Sequence, residues 1–480
     1  MNLLESYKNR LAISESVHQK SHNGARMGAN KKLMIASVLN NTSKFMNEAF
    51  ESTAATQRSA LGDYKRFCLN VSTVSLPNLI LPELMLTQPM SSIAGYITYL
   101  RYTAGVNKGG VDQEQTFNGV YRMGEMDRAR MNYTSDRVSE VLTSDLKLMW
   151  TPVLKIAKAV DAKGDDIDVS DWKVDDNGTI TGTGAAAGVK VAYIYDNVII
   201  PQTTKPNSIP TLKAAMDVME LHAHARRIAV YYSQIAAFQA KTDYGYDLGE
   251  QLATQAQGEL AYEIDTEGVM MLVNGAEEDT KLTFKSYENA VEGGNSLYIS
   301  RSQYYEQFSE ILSRAKQVLY KRTQKFAPNY MIVGSNVLTI MPYLKGWSAA
   351  PTATVNGPYF AGTVDGLKVF VSPAMDDNEF VFGVNGSDLQ TSAGVYAPYM
   401  AIVPTQLLGF ADGGMSQGFS TMYDMKLLST YTVKADGKRE DAKDGQFSWL
   451  LVKGKFDADK VVVPVPVDDN VVTDTGDTGI

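Results

Sequence analysis

The chain has 480 residues, 44% hydrophobic and 21% charged, a balance that excludes a disordered protein and leaves room for two or three ordinary domains or one elaborate one. Its formal net charge of -9 excludes a generic nucleic-acid binder, which carries a basic face. A single cysteine, Cys68, excludes an intrachain disulfide and a thiolate metal cluster within one chain.

The opening residues MNLLESYKNR hold no apolar core behind a basic run. No secretory signal is read there, and folding in a reducing cytoplasm is expected. Residues 1–66 read as helical and polar, and Leu4, Leu11, Val38, Leu39 and Phe45 look too sparse for a core. The segment is therefore expected to be an arm that docks on something else. Lys8, Arg10, Lys20, Arg26, Lys31, Lys32, Lys44, Arg58, Lys65 and Arg66 outnumber Glu5, Glu15, Glu48, Glu51 and Asp63 within it. Such a run is either a solvated end or an interaction arm.

SLPNLILPELMLTQPM (75–90) is apolar and broken by Pro77, Pro82 and Pro89, so short buried pieces are expected. From residue 96 the pattern turns to β. YITYLRYTAG alternates as a strand does. DVSDWKVDDNGTITGTGAAAGVKVAYIYDN reads as strands joined by turns, with Asn177-Gly178 as a hairpin signal. This β excursion shows little core of its own, so it is expected to find partners outside itself.

RRIAVYYSQIAAF (226–238) starts as a strand and turns helical. Residues 246–276 carry Leu248, Leu252, Ala256, Leu260 and Ile264 at four-residue steps, one apolar stripe on a helix. Gly258 and Gly268 inside it point to a bend or a close approach by another chain. Residues 302–326 place Tyr304, Phe308, Ile311, Leu312, Ala315, Val318 and Leu319 on one helical face, with Ser302 as N-cap. A strand, NYMIVG, and a short helix capped by Ser335 follow.

The run TSAGVYAPYMAIVPTQLLGF (391–410) carries no charge and has the ~20-residue length of a membrane helix. Pro398 and Pro404 would each remove an intrahelical hydrogen bond, and Gly394 and Gln406 weaken it further. A short buried strand fits better, which leaves a pocket or a protein contact as its role. The tail VVVPVPVDDNVVTDTGDTGI is too acidic and proline-broken for a central strand. The order of elements is α+β rather than regular βαβ alternation.

No catalytic signature emerges. Gly182, Gly184 and Gly188 lack the G-x-G-x-x-G spacing, and a strand follows them instead of a helix. His222 and His224 share a face only on a strand, and a metal needs further ligands. Asp161, Asp165, Asp166, Asp168 and Asp171 lack the spacing of a calcium loop. Ser313 and Lys316 form an S-x-x-K, but mid-helix among charged neighbours. Cys68 has no local histidine to orient it. No catalytic, cofactor-binding or metal-binding residue is nominated and no cofactor is expected. A cytoplasmic hydrolase with scattered catalytic residues stays open as an alternative.

The order of these elements resembles the major capsid proteins of tailed bacteriophages, the Hong Kong 97 fold, within its T-even-like branch. LPNLILPELMLTQPMSSIAGYITYLR (76–101) is similar to that branch's segment entering its extended loop. RRIAVYYSQIAAFQA with the long helix to Asn274-Gly275 looks like its strand and spine helix. FAPNYMIVGSNVLTIM (326–341) looks like its axial-domain unit, and SAGVYAPYMAIVP like its late strand.

The resemblance implies an α+β Hong Kong 97-like capsid fold. Its divisions are an N-terminal arm (1–74), a segment leading into the peripheral domain (75–100), an extended loop with β insertion (101–205) and the peripheral domain with spine helix (206–325). An axial domain (326–415), return strands of the peripheral domain (416–456) and an acidic tail (457–480) follow. It further implies a non-enzymatic shell protein that self-assembles into hexamers and pentamers. These form the icosahedral head in the virion, assembled in the host cytoplasm. Identical capsid subunits are the implied partners, with scaffold, portal-adjacent vertex or decoration proteins beside them. Packaged double-stranded DNA is contacted non-specifically, and no membrane is involved. Another phage structural protein, a tail sheath or decoration protein, is the alternative. Leu3 to Glu5 fits the Leu/Ile-x-Glu pattern of a prohead protease site but would release almost nothing.

Overall fold

The computed structural model describes residues 3–21, 26–51, 76–106, 135–161, 164–196, 210–245, 248–292, 300–323, 326–350, 357–405, 407–435, 439–442 and 444–457, and Leu69, Thr73 and Tyr133 singly. Cys68 and the tail beyond Asp457 lie outside them.

Helices α1 (Lys8–Ser21) and α2 (Ala29–Glu51) come first. Strand β1 (Leu86–Thr87) lies within the proline-rich stretch, and the long β2 (Ala94–Ala104) follows it. An inserted unit contains β3 (Arg137–Val141), β4 (Val153–Val160) and β5 (Lys190–Tyr195). The chain returns along β6 (Leu212–His222) and continues into β7 (His224–Ser233), α3 (Gln234–Gln239) and α4 (Leu248–Asn274). Then come β8 (Glu277–Lys285), α5 (Arg301–Glu306), α6 (Phe308–Thr323) and β9 (Tyr330–Val333). Strands β10 (Tyr359–Val364), β11 (Leu367–Val371), β12 (Glu379–Gly383), β13 (Gly394–Pro404), β14 (Leu408–Gly409), β15 (Gly414–Leu427) and β16 (Leu451–Asp457) complete the main framework.

Two sheets organise the body. A seven-stranded mixed sheet runs β8-β16-β12-β9-β11-β10, edged by Ser348–Ala349. A five-stranded sheet runs β1-β13-β15-β7, with β14 also pairing β15. The uncharged run forms β13, at the heart of this second sheet, and ten of its eleven residues are buried. A division at 415/416 falls just inside β15, the antiparallel neighbour of β13 from Gly394↔Leu427 to Pro404↔Phe419. The expected axial segment is itself shared between sheets. Its strands up to Gly383 belong to the seven-stranded sheet, and β13 belongs to the other.

One core spans both sheets and the helices against them. On α6, Phe308, Ile311, Leu312, Ala315 and Leu319 are buried as their spacing predicts. The single helix expected over 302–326 is broken at Gln307, and Ser300 caps it rather than Ser302. The reason is S-x-x-Q: the Ser300 hydroxyl accepts from the Gln303 N–H, and the Gln303 side chain accepts from the Ser300 N–H. Ser335 is likewise not a cap. Gly334 holds that position, and the Ser335 hydroxyl donates to Asp377.

The N-terminal segment corrects the expectation of an arm without a core. Met34, Ile35, Ala36, Val38 and Leu39 are all buried, and α2 packs against β13. Asn41 donates to the carbonyls of Met90 (2.7 Å) and Tyr399 (3.1 Å), and Thr42 accepts from the Ala401 N–H at 3.3 Å. Met34, Ile35, Val38, Leu39, Thr42 and Met46 recur at three- and four-residue steps, one face of a helix.

The inserted unit also has its own core, against expectation. Trp150, Trp172, Val191, Tyr193 and Tyr195 are buried together. Two tryptophans and two tyrosines supply enough apolar area to close a small β unit. The Asn177-Gly178 turn lies where the hairpin signal put it, joining Lys173–Val174 to Ile180–Thr181, with Gly178 at φ +83.

Candidate assembly surfaces

Strands β2 and β6 form a two-stranded ribbon paired without interruption from Ala94↔His222 to Ala104↔Leu212. At ~3.4 Å per residue it is roughly 35 Å long. Residues opposite each other share a face, so the register sorts the side chains. Ile97, Met219 and Leu221 occupy one face, packed on Met90, Val395, Ala397 and Leu428 of the body. Tyr96, Val218 and Met216 occupy the other. Tyr96 is 69% exposed and Met216 67% exposed.

An isolated two-stranded ribbon is marginally stable in water. One face here is anchored to the body and the other is bare. The sequence carried the signal: Met216-Asp217-Val218-Met219-Glu220-Leu221 places apolar groups on both faces of a strand, which marks a strand covered on both sides. Sequence reasoning recognised the ribbon strand but missed its apolar outer stripe.

A buried polar junction in the body ties four segments together. Asp265 of α4 accepts from the N–H groups of Ile80 and Leu81, each at 3.2 Å. Lys31 of α2 donates to the Leu79 carbonyl at 3.2 Å and faces Glu83 at 3.9 Å, which pairs with Lys368 of β11 at 2.9 Å. Burial pushes the Asp265 carboxyl up to about 7, against the opposing pull of the two N–H groups and Lys31. Burial brings the Lys31 ammonium down to about 8, against Glu83 and Asp265. Gly268, one turn along α4, lets Leu81 approach: a Cβ there would collide with the Leu81 side chain. The close approach read from that glycine is real, and it is made by this chain.

The weighed chemical candidates fall into structural roles. Lys316 donates to the Asp365 carbonyl at 2.9 Å, and the Ser313 hydroxyl donates to the Ser309 carbonyl at 3.2 Å, so the S-x-x-K pair is not brought together. His222 ends β6 and His224 opens β7, with ring centroids 6.5 Å apart. Gly182, Gly184 and Gly188 lie in the turns leading to β5. Asp171 accepts from the Thr183 N–H at 3.1 Å, and Asp166 pairs with Lys158 at 2.6 Å. Among the described residues no three His, Cys, Asp or Glu side chains gather as a metal site, and no helix is long and apolar enough to cross a membrane.

Two depressions on the described surface bear on these candidates. One, of about 510 Å³, is mostly apolar and lies between the end of α2 and the five-stranded sheet. Met400, Val403 and Pro404 of the uncharged run line it. The other, of about 440 Å³, lies on the inserted sheet beside Arg137, Lys155 and Ile194. Neither lining includes a His, Cys, Asp or Glu.

A folded body that carries a long ribbon with one bare apolar face is built to be completed by another chain, which defines a structural assembly subunit. The family model for major capsid protein Gp23 matches residues 62–450. The chain belongs to that family of tailed-phage major capsid proteins. Its copies assemble with one another into the head shell, as a structural component of the virion rather than an enzyme.

Similar solved structures include one from Microbacterium phage Oxtober96, at 10% identity, covering 79% of this chain and 91% of that one, TM-score 0.35. The capsid of cyanophage P-SCSP1u is 12% identical, with 55% and 80% covered and a TM-score of 0.32. A virus-like particle from Pyrococcus furiosus is 12% identical, with 45% and 77% covered and a TM-score of 0.29. No curated protein sequence matches the chain.

Proposed function

We propose that the subunits form hexamers and pentamers that close an icosahedral head around double-stranded DNA in the host cytoplasm. In this arrangement the β2–β6 ribbon of one subunit lies across the body of the next. The observation that carries the reading is the bare apolar face of Tyr96, Met216 and Val218 on a ribbon too thin to be stable alone. Each contact is moderate, and many around a closed shell add by multivalency. The net charge of -9 suits a wall that holds DNA without gluing it down, since counterion-release binding is strong and blind to sequence. Scaffold, portal-adjacent vertex and decoration proteins are the further partners of this reading.

Negative-stain imaging of the expressed full chain tests it. Closed shells or six- and five-fold rings are expected. A monomer that stays dispersed, or a stacked tube with a wide lumen, contradicts it.

A further inference from the structure

We propose that the outer faces of the two N-terminal helices are the surface that meets the packaged DNA duplex, through its phosphates and without reading its sequence. The proposal rests on the shell reading and names which part of a subunit faces the contents.

Residues 1–51 hold seven Lys and Arg against four Glu and no Asp, in a chain whose net charge is -9. The basic excess is therefore local. The helices fold back on each other: Lys32 of α2 pairs with Glu15 of α1 at 2.9 Å, and the Lys31 ammonium lies 3.4 Å from the His18 ring nitrogen. The buried face of α2 fixes the pair to the body through β13. Anchored so, the outer groups meet a ligand without the entropic cost of ordering an arm.

Lys8, Lys20, Arg26 and Lys44 are exposed. Among the described residues no group pairs with any of these four cations. On α1, Lys8, Ala12, Ser16 and Lys20 follow one another at four-residue steps, and all are exposed. At ~1.5 Å per residue that row is ~18 Å long, and it contains no acid. It matches about five phosphates of one strand at ~3.4 Å each.

The chemistry of the surface selects the partner. Asn9, Ser16 and Asn30 are exposed on the same two helices. Lys, Arg, Ser and Asn are groups that contact phosphate, whereas Lys is depleted where proteins meet. Of the described acids, Glu5 is exposed and Glu15 is already held by Lys32. Ile13 and Leu33 are about half exposed as well, so an acidic protein is the competing partner that the test separates. Four cations are fewer than the ~6–10 phosphate contacts of a tight, salt-sensitive binder. They hold a duplex loosely to an otherwise acidic wall.

The test uses the purified full chain and a labelled duplex of random sequence. Four contacts predict an affinity that falls roughly 100-fold between about 50 and 200 mM salt. Lys8→Gln/Lys20→Gln/Arg26→Gln/Lys44→Gln should bind roughly tenfold or more weakly at low salt, with the salt slope reduced by about 0.9 for each contact removed. The positions are exposed, so circular dichroism and melting should match wild type. A control that removes as many charges from the inserted unit, Lys147→Gln/Lys155→Gln/Lys173→Gln/Lys190→Gln, should bind as wild type does. No wild-type binding at low salt, unchanged affinity in the helix variant, or an equal loss in the control overturns the proposal. Displacement of the duplex by poly-glutamate at equal charge also overturns it, and marks an acidic protein as the partner. In DNA-filled heads, a photoreactive phenylalanine analogue at position 12 should cross-link to DNA, and cross-links to protein alone overturn the proposal. These failures leave the shell reading intact, because the helix variant should form shells at wild-type yield. Absence of any wild-type shell contradicts the shell reading instead.

Discussion

Helix α2 and the β2–β6 ribbon are both long elements outside the two main sheets, and they are finished in opposite ways. On α2, Met34, Ile35, Val38 and Leu39 find their partners within the same chain, on β13 and the proline-rich segment. On the ribbon only the face with Ile97 and Leu221 is completed internally. Tyr96 and Met216 are left to solvent. An apolar stripe signals a contact, but it does not say whose chain supplies the other half.

Four changes sharpen that contrast, in falling order of expected effect. Trp150→Ala should cost ~3–5 kcal/mol, the range for deleting a buried aromatic. Because Trp150 sits in the inserted unit's own core, the loss should be local. Limited proteolysis should then cut within residues 135–196 while the body melts as before.

Leu39→Ala removes a fully buried side chain of α2 and should cost ~2–5 kcal/mol. It should lower the melting temperature of the free subunit, where a purely intermolecular arm would leave it unchanged. Tyr96→Ala/Met216→Ala should do the reverse. Subunit stability should stay within ~0.5 kcal/mol, as for exposed sites. Shell yield should drop about tenfold, the effect of ~1.4 kcal/mol of lost contact.

The smallest effect is on pH dependence. Asp265 has its folded pKa raised to about 7, so its contribution to stability is fully present below the unfolded carboxylate value, ~3.9. That contribution is lost as pH rises through 7. Lys31 is lowered to about 8, and its contribution is present above its unfolded value, ~10.4, and lost as pH falls through 8. The melting temperature of wild type relative to Asp265→Asn should therefore rise by a few degrees between pH 7 and 4, since ~1 kcal/mol shifts a domain by a few degrees. A difference that is flat across that window, measured by calorimetry, contradicts the placement of a buried carboxyl at the junction.

Local patterns were legible in the residues. The stripe on 308–319, the strand in the uncharged run and the Asn177-Gly178 turn all stand where periodicity and turn chemistry put them. Non-local pairing was not. Nothing in residues 394–404 says that their neighbours are 86–87 and 414–427, because strand patterns fix a face and not a partner. The burial of α2 was lost by weighing Val38 and Leu39 without the methionines and Ile35 that complete their face. The ribbon's outer stripe was legible in Met216 and Val218 alternating with Met219 and Leu221, yet it becomes a site only once the register shows which face the body covers.

Hydrogen exchange measured on free subunits and on assembled shells tests the central claim most directly. Residues 29–51 should be protected in both states, and residues 94–104 and 212–222 should gain strong protection only on assembly. Equal protection of the ribbon before and after assembly, or a helix 29–51 that becomes protected only in the shell, would contradict it.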